Sequence, residues 1–96
     1  MAADVLISAK ARRQLGDLLT MIAMDSPSGA RRLEAAVSDL FVRIGEFPES
    51  CPLIGGTSVR MGVAARRIHV LYRVAGVRVF VLRVVYAGYD LRQAFD

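Results

Sequence analysis

Val70-Leu71-Tyr72-Arg73-Val74-Ala75-Gly76-Val77-Arg78-Val79-Phe80-Val81-Leu82-Arg83-Val84-Val85-Tyr86 decides the fold. β-Branched and aromatic residues fill both sides of a single Gly, Val recurs at alternate positions 77, 79 and 81, and no Pro interrupts the run. The pattern is a β-hairpin. A tight turn at Ala75-Gly76, although Ala is a poor first turn residue, sets Val74 opposite Val77, Tyr72 opposite Val79, Val70 opposite Val81 and Ile68 opposite Arg83. In that register Ile68, Val70, Tyr72, Val74, Val77, Val79, Val81 and Val85 share one face, apolar enough to be a core. The other face carries Arg67, His69, Leu71, Arg73, Arg78, Phe80, Leu82, Val84 and Tyr86. It is too apolar to be idle and too charged to be buried alone, and reads as a binding face.

Upstream, Val59, Met61 and Val63 alternate with Arg60 and Gly62, which predicts a preceding strand. The stretch over residues 48–57 holds two of the three prolines and a Gly pair, and reads as loop. Before it, two amphipathic helices are expected. The first follows the strand-like Val5-Leu6-Ile7 and a capping Ser8, with Ala11, Leu15, Leu18 and Ile22 at helical spacing. Gly16 weakens it by about 1 kcal/mol relative to Ala and suggests close approach of the next helix. Ser26 caps the second, Pro27 opens it, and Ala30, Leu33, Val37, Leu40, Ile44 and Phe47 form its stripe, with Gly45 and Pro48 at its end. So short a link implies an antiparallel helical hairpin.

The expected architecture is therefore α+β, in the order β-α-α-β-β-β, with a helical hairpin packed on one face of a small, mainly antiparallel sheet. Ninety-six residues, 54% of them hydrophobic, suit one domain spanning 1–96, burying about two thirds of the unfolded chain's surface. So small a chain is either marginally stable alone or made to be covered by a partner. Residues 1–48 carry six Lys/Arg and six Asp/Glu, and residues 49–96 carry seven Arg and three acids, so the whole +4 lies in the second half. Such an Arg surface suits an acidic protein segment or a phosphate backbone.

Cys51 is the single cysteine, so no internal disulfide is expected. No Cys/His spacing suggests a metal, and no cofactor is expected. The N-terminal residues do not read as a signal peptide and no apolar run reaches the roughly 20 residues of a membrane helix, so a cytoplasmic protein without a membrane partner is expected. Met21, Met24 and Met61 read as gap fillers, Cys51 as inert, and Tyr72 as a buried aromatic whose hydroxyl reaches an edge.

Several segments in their order resemble the RelE/ParE toxins of type II toxin–antitoxin systems. They are Ser8 with Ala11, the helix opening Ser26-Pro27-Ser28-Gly29-Ala30-Arg31-Arg32-Leu33, Glu46-Phe47-Pro48-Glu49-Ser50, Tyr72-Arg73-Val74 and Leu82-Arg83-Val84. The resemblance implies a toxin neutralised by a cognate antitoxin in a hetero-oligomer. It also implies one of two actions, poisoning of DNA gyrase in the ParE branch or cleavage of mRNA on the ribosome in the RelE branch. The ParE-like reading needs no catalytic constellation. It calls for an acidic, amphipathic antitoxin segment over the face of Arg67, Leu71, Arg73, Arg78, Phe80 and Tyr86, or along the helical hairpin.

The RelE-like alternative implies a metal-independent endoribonuclease, in which His69 takes the position of the family's Arg and Tyr86 that of its Tyr or His. His69, Arg67 with Arg73, and Tyr86 would then activate the 2′-hydroxyl, stabilise the phosphate and protonate the leaving oxygen. A lone His among apolar neighbours is more often a packed, hydrogen-bonded side chain than a catalytic one. Where the family has a His and basic residues before Asp-Leu, this chain reads Tyr86-Ala87-Gly88-Tyr89-Asp90-Leu91. That departure leaves open an inactive member that only binds its antitoxin.

Overall fold

The computed structural model describes residues 2–86, so the altered stretch after Tyr86 lies outside the described residues. Its elements are β1 (Asp4–Ile7), α1 (Ala9–Asp25), α2 (Pro27–Glu46), β2 (Arg60–Ala64), β3 (Ile68–Ala75) and β4 (Arg78–Tyr86). Each helix starts where a serine can take an orphan backbone donor. The Ser8 hydroxyl oxygen accepts from the Ala11 amide at 3.0 Å and donates to the Leu82 carbonyl at 3.1 Å, tying α1 to β4 as well as capping it. The Ser26 oxygen accepts from the Gly29 amide at 3.0 Å, with Pro27 at the first helical position. A cap of this kind is worth about 1 kcal/mol.

The sheet runs β1-β4-β3-β2; β1 lies parallel to β4, and the other pairs are antiparallel. The helical hairpin covers one face. Leu18 of α1 and Leu33, Val37, Leu40 and Ile44 of α2 pack on Ile68, Val70, Tyr72, Val79, Val81 and Val84. Gly62 and Ala64 of β2 point to the same side, because they pair with Val70 and Ile68. A Cβ on Gly62 would stand 3.2 Å from both Leu40 methyls and 3.3 Å from the Cys51 sulfur, so the absent side chain lets α2 and the loop approach. Val63, between Gly62 and Ala64, points to the other side and is 43% exposed. No described helix is long and apolar enough to cross a membrane.

The register expected for the hairpin is wrong by two residues. The turn is Gly76-Val77, with Ala75 opposite Arg78, Val74 opposite Val79 and Tyr72 opposite Val81. The reason lies in the backbone: Gly76 takes φ +60° and Val77 has no positive φ, the pattern of a II′ turn, which wants Gly first. A second irregularity follows. The register shifts again between Leu71 and Tyr72, leaving Leu82 as the extra residue of a bulge, so that Leu71 pairs with Arg83, Val70 with Val84, His69 with Val85 and Ile68 with Tyr86. Val84 thereby joins the helix-side core, and Val85 turns to the opposite face.

Three smaller expectations also fail. Gly16 has nothing within 4 Å of where its Cβ would be, so it permits no close helix approach. Met21 and Met24 are exposed rather than gap fillers, and Phe47 terminates α2 with its ring 62% exposed instead of extending the apolar stripe.

Candidate partner-binding face

The sheet face turned away from the helices is divided by the loop that joins α2 to β2. That loop is strapped down: Ile54 N–H donates to the Val59 carbonyl at 2.8 Å and Met61 N–H to the Pro52 carbonyl at 3.0 Å. The Arg60 guanidinium donates to the Cys51 carbonyl at 2.7 Å, and the Tyr72 hydroxyl donates to the Pro48 carbonyl at 2.8 Å. Burial first, and then the Cys51 thiol beside it, raise the Tyr72 hydroxyl's pKa well above the ordinary tyrosine value. Tyr72 is a structural donor with no acid–base role at neutral pH.

Strapped in this way, the loop brings Val59 and Ile54 over Leu71 and Val85, with Met61 and Leu82 at the sides, and makes a second small core. Leu71 is fully buried there. It is the one residue of the expected binding set that a partner cannot touch, because β-alternation gives its face and not what folds over it.

The other half of the face is uncovered. Cross-strand pairing sets Leu6 of β1 beside Phe80, and Phe80 beside Arg73 of β3, while Asp4 sits beside Arg78 one row on. Leu6 is 46% exposed and Phe80 partly so, with Arg73 and Arg78 exposed. The result is a narrow apolar strip edged by guanidinium groups, a surface that can bury Leu or aromatic anchors while arginines set register and on-rate. Leu6 was not among the residues expected from the sequence. The available signal was the alternation of Leu6 with Val5 and Ile7, which a strand of four residues makes easy to overlook.

The residues proposed for ribonuclease chemistry do not converge. Tyr86 pairs with Ile68 and so belongs to the helix side of the sheet, beside Gln14, Asp17 and Leu18 of α1, whereas His69 pairs with Val85 and belongs to the opposite side. Unbroken alternation puts His69 and Tyr86 on one face, and the Leu82 bulge is what parts them. Arg67 donates to the Tyr86 hydroxyl at 3.2 Å and so goes with Tyr86. Arg73 shares the face of His69 but stands four residues along the strand, about 13 Å away, with Leu71 between. Among the described residues no group of three or more His, Cys, Asp or Glu side chains converges as metal ligands would.

Beyond the end of β1, Ser8 still pairs with β4, and farther on the Gln14 side-chain oxygen accepts from the Val84 amide at 2.9 Å, so α1 itself finishes the sheet edge. Arg83, opposite Leu71, donates to the Leu82 carbonyl at 2.8 Å, an interaction at the bulge itself.

No protein-family model and no curated protein sequence matches this chain. Solved structures do. A chain of a chromosomal ParDE TA system from P. aeruginosa superposes with a TM-score of 0.77 at 15% identity, over 88% of this chain and 96% of that one. A chain of the crystallised RelBE2 toxin–antitoxin complex from Mycobacterium tuberculosis gives 0.65 at 22% identity, over 90% of this chain and 99% of that one. With its two helices on a four-stranded mixed sheet in the order β-α-α-β-β-β, the chain has the RelE/ParE-like α+β fold.

Proposed function

We propose that this chain is the toxin of a type II toxin–antitoxin system and that it acts by binding a cytoplasmic target, DNA gyrase, rather than by cutting RNA. Its likeness in fold to chains from ParDE and RelBE2 systems supports the toxin reading. One observation favours binding over catalysis: the bulge at Leu82 directs His69 and Tyr86 to opposite faces of the sheet. General acid–base cleavage needs both proton-transfer groups within hydrogen-bond reach of one phosphodiester. A binding inhibitor has no such requirement.

The antitoxin partner in this reading is an acidic, amphipathic segment lying along Leu6 and Phe80, with its carboxylates on Arg73 and Arg78. Exposed ion pairs of this kind contribute about 0–1 kcal/mol each, so the apolar anchors would carry most of the affinity. The deciding experiment expresses the chain without an antitoxin and assays gyrase supercoiling beside cleavage of ribosome-bound mRNA. Inhibited supercoiling with intact mRNA is the expected outcome. Cleaved mRNA that becomes intact in His69→Ala would replace this reading with the endonuclease.

A further inference from the structure

The two edges of the sheet are treated differently. Along β2 the chain covers its own edge: Met61 N–H donates to the Pro52 carbonyl at 3.0 Å, the Val59 carbonyl accepts from Ile54 N–H at 2.8 Å, and Leu53 bridges to Arg60. Among the described residues nothing comparable lies along β1. Asp4 N–H donates to the Val77 carbonyl at 2.9 Å and Ser8 N–H to the Val81 carbonyl at 3.0 Å, so the even-numbered residues direct their backbone groups at β4. Alternation then aims the N–H and C=O of Val5 and Ile7 outward. Natural sheets block such an edge with Lys, Pro or a bulge. β1 has none of these, and its one charge, Asp4, stands at its first residue.

The open stretch is also bounded. On one side Ala3 N–H already donates to the Gly45 carbonyl at 2.7 Å, and on the other Ser8 caps α1. The unpaired groups therefore belong to Val5 and Ile7, placed symmetrically about Leu6. A half-turn about an axis through Leu6, normal to the sheet, sets Val5 opposite Ile7 of a second copy and Ile7 opposite its Val5, and leaves none of these donors and acceptors unpaired. We propose that β1 pairs antiparallel with β1 of a second copy in this register, joining the two sheets into one across the two-fold axis.

The side chains suit that occupant. Leu6, 46% exposed on the open face, meets Leu6 of the copy at the axis. A stable interface buries about 800 Å² on each partner, more than a four-residue strand supplies, so the flank of α2 must join it. Gly45 packs against Val5 and Ala3, which places Val42, one turn earlier in α2, level with the middle of β1. Val42 is 60% exposed and, with Phe41, lines a depression of about 340 Å³ beside Val5, where the copy's Val42 would enter. Charge agrees as well. The register sets Ala3 opposite Ala9 of the copy, bringing the exposed Glu46, next to Gly45, to the end where the copy's exposed Lys10 lies. An acidic partner strand would meet Asp4 and Glu46 there, and a longer strand would gain no bonds beyond Ala3 and Ser8. The same patch serves both copies, so the assembly closes as a dimer. It leaves Arg73, Arg78 and Phe80 uncovered, and the inference does not depend on the toxin reading.

Sedimentation equilibrium of the full chain should show a mass rising with concentration from 10.5 kDa to twice that value. Leu6→Asp puts like charges opposite each other at the axis and should weaken dimerisation about tenfold, with unchanged far-ultraviolet circular dichroism. In a Cys51→Ser background treated with diamide, Leu6→Cys should give a disulfide-linked dimer, because directly opposed residues of a non-hydrogen-bonded pair stand at disulfide distance. Val5→Cys, which faces Ile7, should not. The Val5 and Ile7 amides should gain protection from hydrogen exchange as concentration rises. A mass of 10.5 kDa at millimolar concentration, a dimer indifferent to Leu6→Asp, or equal cross-linking of the two cysteine variants would overturn the proposal. Protection of the two amides by acetyl-Leu-Glu-Leu-Glu-amide on a monomeric chain would assign the edge to a foreign strand and overturn it as well.

Discussion

Tyr72 shows how much one side chain can hold. Its ring is fully buried in the core, and its hydroxyl carries the bond to the Pro48 carbonyl that fixes the loop after α2. Tyr72→Phe removes the donor and leaves that carbonyl without it, so a loss of roughly 1–3 kcal/mol is expected in urea unfolding. The raised pKa has a pH signature. The folded chain keeps this proton at pH values where the unfolded chain has released it, so the contribution is complete below about pH 10 and is lost as pH rises toward the folded value. Stability should therefore fall above pH 10 with a slope of up to about 1.4 kcal/mol per pH unit, a component that Tyr72→Phe abolishes. Leu71 makes the complementary case. Leu71→Ala should cost about 2–5 kcal/mol in stability, as a large-to-small change in a core does, whereas Phe80→Ala should leave the unfolding midpoint nearly unchanged and weaken antitoxin binding.

Among the elements, the turns decide register. Ala65 and Arg66 in the β2–β3 turn both have positive φ, +52° and +63°, a conformation that costs a side-chain-bearing residue about 1 kcal/mol or more. Ala65→Gly relieves that strain at one position and should raise stability by about 1 kcal/mol in thermal unfolding. In the β3–β4 turn the logic reverses. A Cβ on Gly76 would touch nothing within 4 Å, so the cost of Gly76→Ala is purely conformational, about 1–2 kcal/mol by the same measurement. The Leu82 bulge acts across a whole strand. By inserting one residue it exchanges the faces of Val84 and Val85, and so sets which side of the sheet receives Tyr86.

At the scale of the molecule, the fold leaves a basic, apolar strip on the open half of the sheet and a mainly apolar groove at the end of α2. If the strip binds the antitoxin and catalysis plays no part, His69→Ala and Tyr86→Phe should each retain growth arrest in an antitoxin-free strain, while Arg73→Glu should weaken antitoxin binding by less than Phe80→Ala does.

The helices, the strand order along the chain and the helix-side residues of β3 were legible in the sequence. Each depends on local periodicity and on caps such as Ser8 and Ser26, which need only near neighbours. The turn position was only partly legible, since Ala75-Gly76 and Gly76-Val77 differ by a Gly conformation that composition does not specify. The bulge, the burial of Leu71 and the groove at Phe47 were decided by tertiary structure alone. They arise where the loop after α2 crosses two strands and where α1 finishes the edge of β4, contacts between segments tens of residues apart that no spacing along the chain encodes.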